Sequence, residues 1–343
     1  LWCCFIILFN NMNKHLLSVA KTLNTSVFQN IGQISMLLKI PPVNVLEAIK
    51  ELERLNFPIR FSECRGYKLV HPVYWLSRSK IYQQIGVLKK AYKIQVVEQT
   101  NSTNSDLLSY DPNAHMVGHS VVRVAEIQTH GKGRRGREWL SGIGDSLTFS
   151  IMKTLSVPQK SISALSLVVG LAVVRAISDL GGVGYSLKWP NDIVRLGKKV
   201  GGILIELGKI EKEKSLVIIG IGINVRQKKR SGREGLLLVE DLFQDGMEVD
   251  RNKILAAIIK HIDSVIDIFE NEGFMVLKKE WEKLHHYQGK KVQLSIKEGD
   301  QKVGVVVGID HTGALLIKDE NKIIKATIGD ISLRAISEEG YEK

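Results

Sequence analysis

Hydrophobic side chains repeat with helical spacing in three short segments near the start of the chain. Residues 14–24, residues 31–38 and the segment after Pro41-Pro42 carry apolar side chains three or four positions apart. An extended pair follows, I-R-F-S-E-C-R-G-Y-K-L-V, with Arg65-Gly66 at the expected turn. Three helices and a small hairpin predict a winged helix-turn-helix over 12–72, closed by Pro72, with a linker at 73–83.

The pattern changes between residues 84 and 285, where apolar runs typical of strands predominate. They are K-I-Q-V-V-E, S-V-V-R-V-A-E, S-L-T-F-S-I, G-G-I-L-I-E-L and L-V-I-I-G-I-G-I-N. A helix is predicted over about 161–180, and Gly170 and Arg175 interrupt it too much for a membrane span. A second long helix is predicted from the N-cap Asp250 to Gly273. This stretch therefore predicts an α/β domain with a mixed sheet (α+β).

The tail, 286–343, alternates short strands with glycine turns. Its runs are K-K-V-Q-L-S-I, K-V-G-V-V-V-G-I-D, A-L-L-I-K and K-I-I-K-A-T. Short, closely spaced strands predict a small C-terminal β-barrel.

Composition and charge narrow the class of protein. The chain has 343 residues, 44% of them hydrophobic and 24% charged, as in a soluble globular protein of two or three domains. The formal net charge of +12 favours an anionic partner such as a nucleotide or nucleic acid, although many basic enzymes bind no nucleic acid. Three cysteines form no disulfide framework or zinc spacing, which predicts a cytoplasmic protein.

The first nine residues, L-W-C-C-F-I-I-L-F, are apolar but lack a basic start and are too few to cross a bilayer. Met12 begins a stretch typical of a protein start. We expect residues 1–11 to be an over-extended reading frame.

The segment E-I-Q-T-H-G-K-G-R-R-G-R-E-W at 126–139 matches the spacing G-x-G-x-x-G. A dinucleotide-binding turn needs an apolar helix next and an acidic residue about 20 positions on. Here the following residues are broken by glycine, and no acidic residue occurs between Asp145 and Asp179. Glycines beside arginines instead indicate a mobile loop whose backbone approaches a nucleotide or an acyl phosphate closely.

Four further segments carry candidate chemistry. In K-W-P-N-D (188–192) and K-K-V-G-G-I-L-I-E (198–206), Lys199 begins an apolar strand, where its amine can neutralise an anion. Asn191 and Asp192 are candidates for holding a substrate amide, Mg²⁺ or a lysine, and no Walker pattern accompanies them. G-I-G-I-N (220–224) ends a strand, where glycines allow a ligand to approach backbone or form a bulge. E-Q-T-N-S-T-N-S (98–105) either caps a helix or binds a polar head group.

These segments, in this order, resemble the biotin–protein ligases. The matching motifs are S-T-N (102–104), Q-x-x-G-x-G-R-x-G-R-x-W (128–139), K-W-P-N-D, K-x-G-G-I-L-I-E and G-x-G-I-N. With the N-terminal helices and a C-terminal domain ending D-I-S-L-R (330–334), the chain is similar to the bifunctional bacterial type, which also represses the biotin operon. The resemblance covers almost everything after Met12 and implies an SH3-like C-terminal barrel.

The resemblance implies a two-step reaction and its residues. Biotin reacts with ATP and Mg²⁺ to give biotinyl-5′-AMP, and a lysine of the biotin carboxyl carrier domain of acetyl-CoA carboxylase then takes the biotin. The implied catalytic residues are Arg134, Asp192 and Lys199. The implied biotin-binding residues are Ser102, Thr103, Asn104, Gln128, Gly131, Lys132, Gly133, Arg134, Trp139, Lys199 and Gly220. The implied nucleotide-binding residues are Arg134, Arg135, Arg137, Asn191, Gly222, Asn224 and Arg334, with adenine contacts expected within 225–240. No residue is assigned to a fixed metal.

Two positions depart from the family pattern. Lys132 stands where many members have arginine. Lysine keeps the positive charge but cannot form the bidentate hydrogen bond of a guanidinium group. The helix after Pro41-Pro42 offers DNA a face poor in Arg, Asn and Gln, formed by Val43, Leu46, Glu47, Lys50 and Glu51. The candidate DNA-binding residues are Lys50, Arg65 and Lys68. Operator binding and its loss therefore both stay open.

Two other functions stay open as alternatives. One is a ligand-sensing transcription factor without catalysis, against which Arg134, Asp192 and Lys199 argue. The other is a lipoate ligase, which is not expected to carry the glycine- and arginine-rich loop. A homodimer through exposed strand edges is also a possibility that one sequence does not decide.

Overall fold

The structure is a computed structural model of the chain. It describes residues 13–110, 119–211, 214–226, 241–242, 250–295, 301–320, 322–327, 332–337 and 340–341.

The N-terminal unit has three helices followed by a two-stranded antiparallel sheet. The elements are α1 (Leu16–Thr22), α2 (Ile31–Leu38), α3 (Pro42–Arg54), β1 (Ile59–Ser62) and β2 (Gly66–Leu69). Asn30 and Gln33 cap α2 reciprocally, and Pro42 is the first residue of α3, where a missing N–H costs nothing. Gly66 has φ +94°, and a Cβ there would lie 2.3 Å from the Gln29 carbonyl oxygen. The predicted order of helices and the predicted turn at Arg65-Gly66 are confirmed.

The connection at 71–77 is fastened to the central unit. Arg251 donates from Nε and Nη2 to the Tyr74 carbonyl at 3.1 and 3.0 Å, and Nη2 lies 2.5 Å from Glu126 Oε2. Glu126 Oε1 accepts from the Leu76 backbone N–H at 2.6 Å. Arg251 and Glu126 are 1% and 2% exposed. The predicted boundaries of the linker and of the other domains stay predictions.

A seven-stranded mixed sheet forms the central unit. Its strands are β3 (Tyr92–Thr100), β4 (Ser120–Gln128), β7 (Ser146–Leu155), β8 (Tyr185–Lys188), β9 (Asp192–Arg195), β10 (Lys198–Glu211) and β11 (Lys214–Asn224). Their spatial order is β3-β4-β7-β11-β10-β9-β8, in which only β3 and β4 are parallel. All five predicted apolar runs lie in these strands, so the predicted mixed α/β fold is confirmed.

Four helices cover one face of this sheet or its ends, and a short helix lies on the other. The first group is α4 (Arg78–Ile85), α6 (Leu165–Asp179), α7 (Arg251–Glu272) and α8 (Phe274–Leu284). Helix α5 (Thr103–Leu108) packs on the opposite face through Leu107 against Val121, Met152 and Ile218. Asp250 caps α7 and Gly273 ends it, as predicted.

The helical segment 159–179 has the length and hydropathy of a membrane span, and 78% of its apolar 18-residue window is buried inside the protein. It begins as a 3₁₀ turn (Gln159–Ala164) and continues as α6. Its apolar side chains pack into the core under the sheet, as expected for the central helix of a globular domain.

The described part of the C-terminal unit is a six-stranded antiparallel sheet. Its strands are β12 (Lys291–Ser295), β13 (Gln301–Ile309), β14 (Leu315–Asp319), β15 (Lys322–Ala326), β16 (Ser332–Ser337) and β17 (Gly340–Tyr341). Their order is β15-β14-β13-β12-β16-β17. Every predicted run of this region forms a strand, and the pairings among the described residues leave β15 and β17 at the two edges.

Candidate functional site

The floor of the candidate site consists of two rows of residues across the sheet, most of them glycine, serine or threonine. Ser150 pairs with Gly220, which pairs with Leu204, and two residues along each strand Thr148, Gly222 and Gly202 form the second row. A Cβ at Gly220 would lie 2.3 Å from Asn104 Oδ1, and one at Gly222 would lie 2.4 Å from Trp139 Cε2. The glycines of G-I-G-I-N are therefore needed for close approach of side chains to the strand.

Ser102, Thr103 and Asn104 lie at the start of α5, directly over the first row. Ser102 caps the helix by accepting from the Ser105 N–H at 3.4 Å, so the predicted helix cap is confirmed. Thr103 donates its backbone N–H to Gln128 Oε1 at 2.8 Å. All three residues and Gln128 are buried. The structure thus brings together polar residues from two distant segments of the sequence.

The glycine- and arginine-rich segment is a tight hairpin. Strands β5 (Gly131–Lys132) and β6 (Glu138–Trp139) pair with each other, and a 3₁₀ turn, Arg134–Gly136, joins them. Arg135 and Gly136 have φ +59° and +67°, and Gly131 lies so close to the Trp139 carbonyl that a Cβ would be 2.4 Å away. No helix follows, which agrees with the rejection of a dinucleotide-binding turn.

The K-W-P-N-D segment is the turn between β8 and β9 and contacts the hairpin. Its Trp189–Pro190 peptide bond is cis. Arg134 donates from Nη1 to Asn191 Oδ1 at 3.0 Å, and Asn191 donates from Nδ2 to the Ile203 carbonyl at 2.7 Å. Asn191 therefore joins the hairpin to strand β10. Lys132, Arg135 and Arg137 are exposed.

Lys199 and Asp192 form an ion pair at the centre of this arrangement. Lys199 Nζ lies 2.6 Å from Asp192 Oδ1 and 5.6 Å from the centroid of the Trp139 ring. Both side chains are about a quarter exposed or less. Trp139 Nε1 is buried and has no hydrogen-bond partner among the described residues. A lysine cation, an arginine cation and an unpaired indole donor thus face one end of the glycine floor.

Other predicted residues lie farther away or outside the described residues. Asn224 is 4% exposed at the end of β11, and its carbonyl accepts from the Leu242 N–H at 3.0 Å. Arg334 lies in β16 opposite Gln293. The expected adenine segment is described only at 225–226. No cluster of three or more His, Cys, Asp or Glu suited to a metal occurs among the residues that the structure describes.

The candidate DNA-binding residues lie on the N-terminal unit. Arg65 and Lys68 stack on the Phe28 ring at 4.5 and 4.8 Å, and Lys50 is exposed on α3. Glu51, which was expected to face DNA, instead accepts from the Asn13 N–H at 3.0 Å. Its side chain is only 11% exposed, so the outward face of α3 carries one carboxylate fewer than predicted.

Two residues of the site had no role assigned from the sequence. Ser150 is fully buried between Thr103 and Asn104, and Glu206 accepts from Asn104 Nδ2 at 2.7 Å. The alternation of Ser146, Thr148 and Ser150 with apolar residues in β7 is a signal for a polar row on one face of that strand. Glu206 ends the G-G-I-L-I-E segment, but its partner is 102 residues away.

Comparisons with known proteins agree with this geometry. The model of the "Biotin/lipoate A/B protein ligase family" matches residues 96–224, and that of the "Biotin protein ligase C terminal domain" matches residues 288–334. The chain is 32% identical over 275 residues to the bifunctional ligase/repressor BirA of Escherichia coli, covering 79% of this chain and 82% of that protein. It is 30% identical to the biotin–[acetyl-CoA-carboxylase] ligase of Mycobacterium tuberculosis, covering 74% and 94%.

A solved structure shows the same architecture. The biotin protein ligase from Aquifex aeolicus in complex with biotin and ATP is 32% identical, with a TM-score of 0.60. It covers 71% of this chain and 99% of that one. These sequence and structural likenesses, together with the matched motifs around the glycine floor, show that the chain belongs to the biotin protein ligase family.

Proposed function

We propose that this protein activates biotin with ATP to biotinyl-5′-AMP and transfers the biotin to a lysine of a biotin carboxyl carrier domain. The observation that carries the proposal is the meeting of Arg134, Asn191, Asp192 and Lys199 beside the glycine floor. Two anions, a carboxylate and a triphosphate, must come together there, and positive charge placed beforehand stabilises the charge that develops.

The buried polar residues of α5 and β4 suit the ureido ring of biotin. A neutral bicyclic urea needs a few donors and acceptors inside a closed pocket. Ser102, Thr103, Asn104 and Gln128 provide them within a few ångströms of one another. Gly131 borders this pocket beside Gln128, Gly220 forms its floor, and the Trp139 ring covers the neighbouring glycine row for the acyl chain. We assign Lys132 and Gly133, the next residues of the hairpin, to the same ligand.

The nucleotide belongs at the hairpin. Arg134, Arg135 and Arg137 are close enough in sequence for several guanidinium groups to reach phosphates, and Asn191, Gly222 and Asn224 lie towards the same end of the sheet. Arg334 approaches from the C-terminal unit in this proposal. Closing a hairpin over the mixed anhydride excludes the water that would hydrolyse it.

Mg²⁺ belongs with ATP in this proposal. Mg²⁺ is typically held by one or two carboxylates together with substrate phosphates. Asp192 is the carboxylate beside Lys199 and Arg134 at the charged end of the site, and it shares its charge with Lys199 at 2.6 Å, so the donor set fits a metal that arrives with the triphosphate. When bound, the ion would neutralise phosphate charge.

The chemistry follows from these positions. A carboxylate oxygen of biotin attacks the α-phosphorus of ATP, and pyrophosphate leaves. Lys199 holds the carboxylate and the attacked phosphate together and offsets their repulsion. The neutral amine of the carrier lysine then attacks the acyl carbon, AMP leaves with the bond electrons, and the new amide nitrogen loses a proton.

One assay tests the proposal and its alternatives. The protein is incubated with ATP, Mg²⁺, biotin and a carrier domain, and the carrier is examined by mass spectrometry, with lipoate replacing biotin in a parallel reaction. We expect biotin addition and no lipoate addition. Lipoate addition would identify a lipoate ligase, and no addition of either would favour a ligand-sensing protein without catalysis.

The partner and the compartment follow from the substrate. The carrier domain of acetyl-CoA carboxylase is a cytoplasmic partner in this proposal, and a relative is named for ligation to that carboxylase. A homodimer stays a prediction, and its test is the molar mass in solution with and without biotin and ATP.

A second function is operator binding by the N-terminal unit as a winged helix-turn-helix, which would make the protein a biotin-operon repressor. Three helices and a two-stranded sheet support it, as does the name ligase/repressor of the Escherichia coli relative. Lys50, Arg65 and Lys68 are its phosphate contacts.

For the C-terminal unit, we propose that the six-stranded antiparallel sheet forms an SH3-like barrel.

A salt-dependent titration with the biotin-operon promoter of the source organism, with biotinyl-AMP present, tests this second function. Operator binding predicts an affinity well above that for a scrambled duplex, and Lys68→Ala lowers it on both duplexes. Equal affinity for both duplexes would mean that the unit has lost this role.

A further inference from the structure

A chain of four hydrogen-bonding side chains crosses the floor of the site and includes Thr103 and Asn104, two of the residues proposed to bind biotin. Thr103 Oγ1 lies 2.6 Å from Ser150 Oγ, and Ser150 Oγ lies 2.5 Å from Asn104 Oδ1. Asn104 Nδ2 lies 2.7 Å from Glu206 Oε2. Ser150 is 0% exposed, and Thr103 and Asn104 are 2% and 4% exposed, so the chain of contacts is closed to water over most of its length.

The carboxylate at one end fixes the direction of every hydrogen bond in this chain. An ionised carboxylate and a backbone carbonyl only accept. Asn104 must therefore turn its NH₂ towards Glu206 Oε2 and the Leu204 carbonyl, which lies 3.5 Å away. Its Oδ1 then faces Ser150 and accepts the only hydroxyl proton that Ser150 has. Ser150 Oγ in turn must accept the proton of Thr103, because two oxygens 2.6 Å apart without a proton between them repel.

The fixed direction decides what the site offers to a ligand. The Thr103 hydroxyl lies 3.1 Å from Gln128 Oε1, but Ser150 Oγ is the nearer acceptor at 2.6 Å and takes its proton. The oxygen of Thr103 therefore presents lone pairs to a ligand. Gln128 Oε1 accepts from the Thr103 backbone N–H at 2.8 Å, which directs Gln128 Nε2 towards Gly131 as a donor. The pocket then offers one acceptor and one donor side by side. A urea presents the complementary pair, an N–H and a carbonyl oxygen.

We propose that Glu206 is a positioning residue that determines specificity for the ureido group by fixing the hydrogen-bond direction through Asn104 and Ser150 to Thr103. Glu206 acts through Asn104 and does not itself touch the ligand. Gly220 is required for this hydrogen-bonded arrangement, because a Cβ at that position would lie 2.3 Å from Asn104 Oδ1. The inference rests on the proposed binding of biotin in this pocket.

A pair of substitutions that exchanges donor and acceptor tests the inference. Asn104→Asp keeps the shape but places two carboxylates against each other and removes the donor. Adding Glu206→Gln restores a donor to the pair, while the carboxylate introduced by Asn104→Asp still accepts from Ser150. Biotin affinity is measured by titration calorimetry on the full-length protein, with the KM for ATP and thermal unfolding as companions.

We expect Asn104→Asp to weaken biotin binding at least about tenfold, which corresponds to the loss of one buried hydrogen bond, and Glu206→Gln to weaken it several-fold. We expect the double variant to return to within about threefold of the unsubstituted protein, with the KM for ATP changed less than about twofold throughout. A merely structural role would move thermal unfolding in parallel with biotin affinity, whereas a positioning role changes the affinity with thermal unfolding nearly unchanged. If Asn104→Asp does not fold, the biotin affinities of Glu206→Gln and of the double variant are compared, and a higher affinity in the double variant still supports the role of Glu206.

Two outcomes separate the inference from the site assignment. Gln128→Ala is the reference, because Gln128 is proposed to contact biotin itself. Loss of affinity in Gln128→Ala with none in Glu206→Gln, or no rescue in the double variant, overturns the role of Glu206 and leaves the pocket in place. Unchanged affinity in all variants, including Gln128→Ala, overturns the pocket.

Discussion

Trp189 donates its indole N–H to the Gly313 carbonyl oxygen at 3.0 Å and so joins the W-P-N-D turn to the C-terminal sheet. Trp189 is 2% exposed, and the two residues are 124 positions apart. Asn191 and Asp192, which hold Arg134 and Lys199, follow shortly after Trp189. The C-terminal unit therefore helps to position the charged centre of the site.

Hydrogen bonds to Asp310 hold the turn that contains Gly313. Asp310 accepts from the backbone N–H groups of Thr312 and Ala314 at 2.8 and 3.0 Å and pairs with Lys325. Burial raises the pKa of Asp310, but hydrogen bonds from Lys325, Thr312 and Ala314 outweigh burial and hold that pKa well below its ordinary range. Asp310 is therefore charged at neutral pH and keeps the turn in shape.

The substitution Trp189→Phe tests this link. It keeps an aromatic ring in the core and removes one hydrogen bond, so we expect the free energy of unfolding to fall by about 1 kcal/mol. We expect kcat/KM for adenylate formation to fall about 3- to 10-fold, because Asn191 and Asp192 lose a fixed neighbour. An unchanged kcat/KM would show that the C-terminal sheet does not position the turn.

Asp192→Asn tests the pairing of Asp192 with Lys199. The substitution keeps the shape and removes the charge that holds Lys199 Nζ at 2.6 Å. We expect kcat for adenylate formation to fall at least about tenfold, since hydrogen bonds to charged groups contribute about 1.5–3 kcal/mol. Biotin affinity should change little. A large loss of biotin affinity with unchanged kcat would contradict the assignment.

Arg251→Met tests the buried ion pair beneath the linker. Glu126 would lose its charged partner at 2% exposure, and breaking a buried pair in this way costs about 3–5 kcal/mol. We expect urea unfolding to show a loss of that size, and the double variant Arg251→Met/Glu126→Gln to recover part of it. A single variant as stable as the unsubstituted protein would show that the pair does not stabilise the fold.

His285→Phe tests an acid-sensitive group at the base of α8. Burial, assisted by the nearby His286, lowers the pKa of His285 from 6.5 to about 3, and the ring packs on Trp281 at 4.6 Å between centroids. Between these pKa values the unfolded chain takes up a proton that the folded chain does not, so stability falls as pH falls below 6.5. In this range the free energy of unfolding falls by about 1.4 kcal/mol for each pH unit.

We therefore expect the unsubstituted protein to lose more stability between about pH 7 and about pH 4.5 than His285→Phe does, by about 2–3 kcal/mol in urea unfolding. The same loss in both proteins would show that His285 is not responsible. The phenylalanine ring fills the same space against Trp281, which makes the stabilities at neutral pH comparable.

The sequence predicted local elements well because their signals are local. The apolar runs of β4, β7 and β11, the Asp250 cap and the Gly273 stop each depend on neighbouring residues, and all are confirmed. The hydrogen bonds of Trp189 to Gly313 and of Asn104 to Glu206 join residues more than 100 positions apart. No local pattern identifies such partners, so the contact of Glu206 with Asn104 is visible only when the strands lie side by side.

The same distinction applies to the hairpin at 131–139. Its glycine spacing was interpreted correctly against a dinucleotide-binding turn, because the residues that follow lack helical periodicity. Its contact with Asn191, 57 residues after Arg134, depends on the fold of the sheet. The outward direction predicted for Glu51 was wrong because a backbone N–H outside its own helix, that of Asn13, binds its carboxylate.

The most direct test of the account is biotin-dependent exchange of pyrophosphate into ATP by Lys199→Ala beside Lys198→Ala. The two lysines are neighbours on β10, and strand geometry directs them to opposite faces. Lys199 pairs with Asp192 at the site. We expect Lys199→Ala to lower the exchange rate at least about a hundredfold, because removing one group that stabilises developing charge usually has an effect of that size. We expect Lys198→Ala to change the exchange rate less than about twofold. Normal exchange by Lys199→Ala would contradict the account.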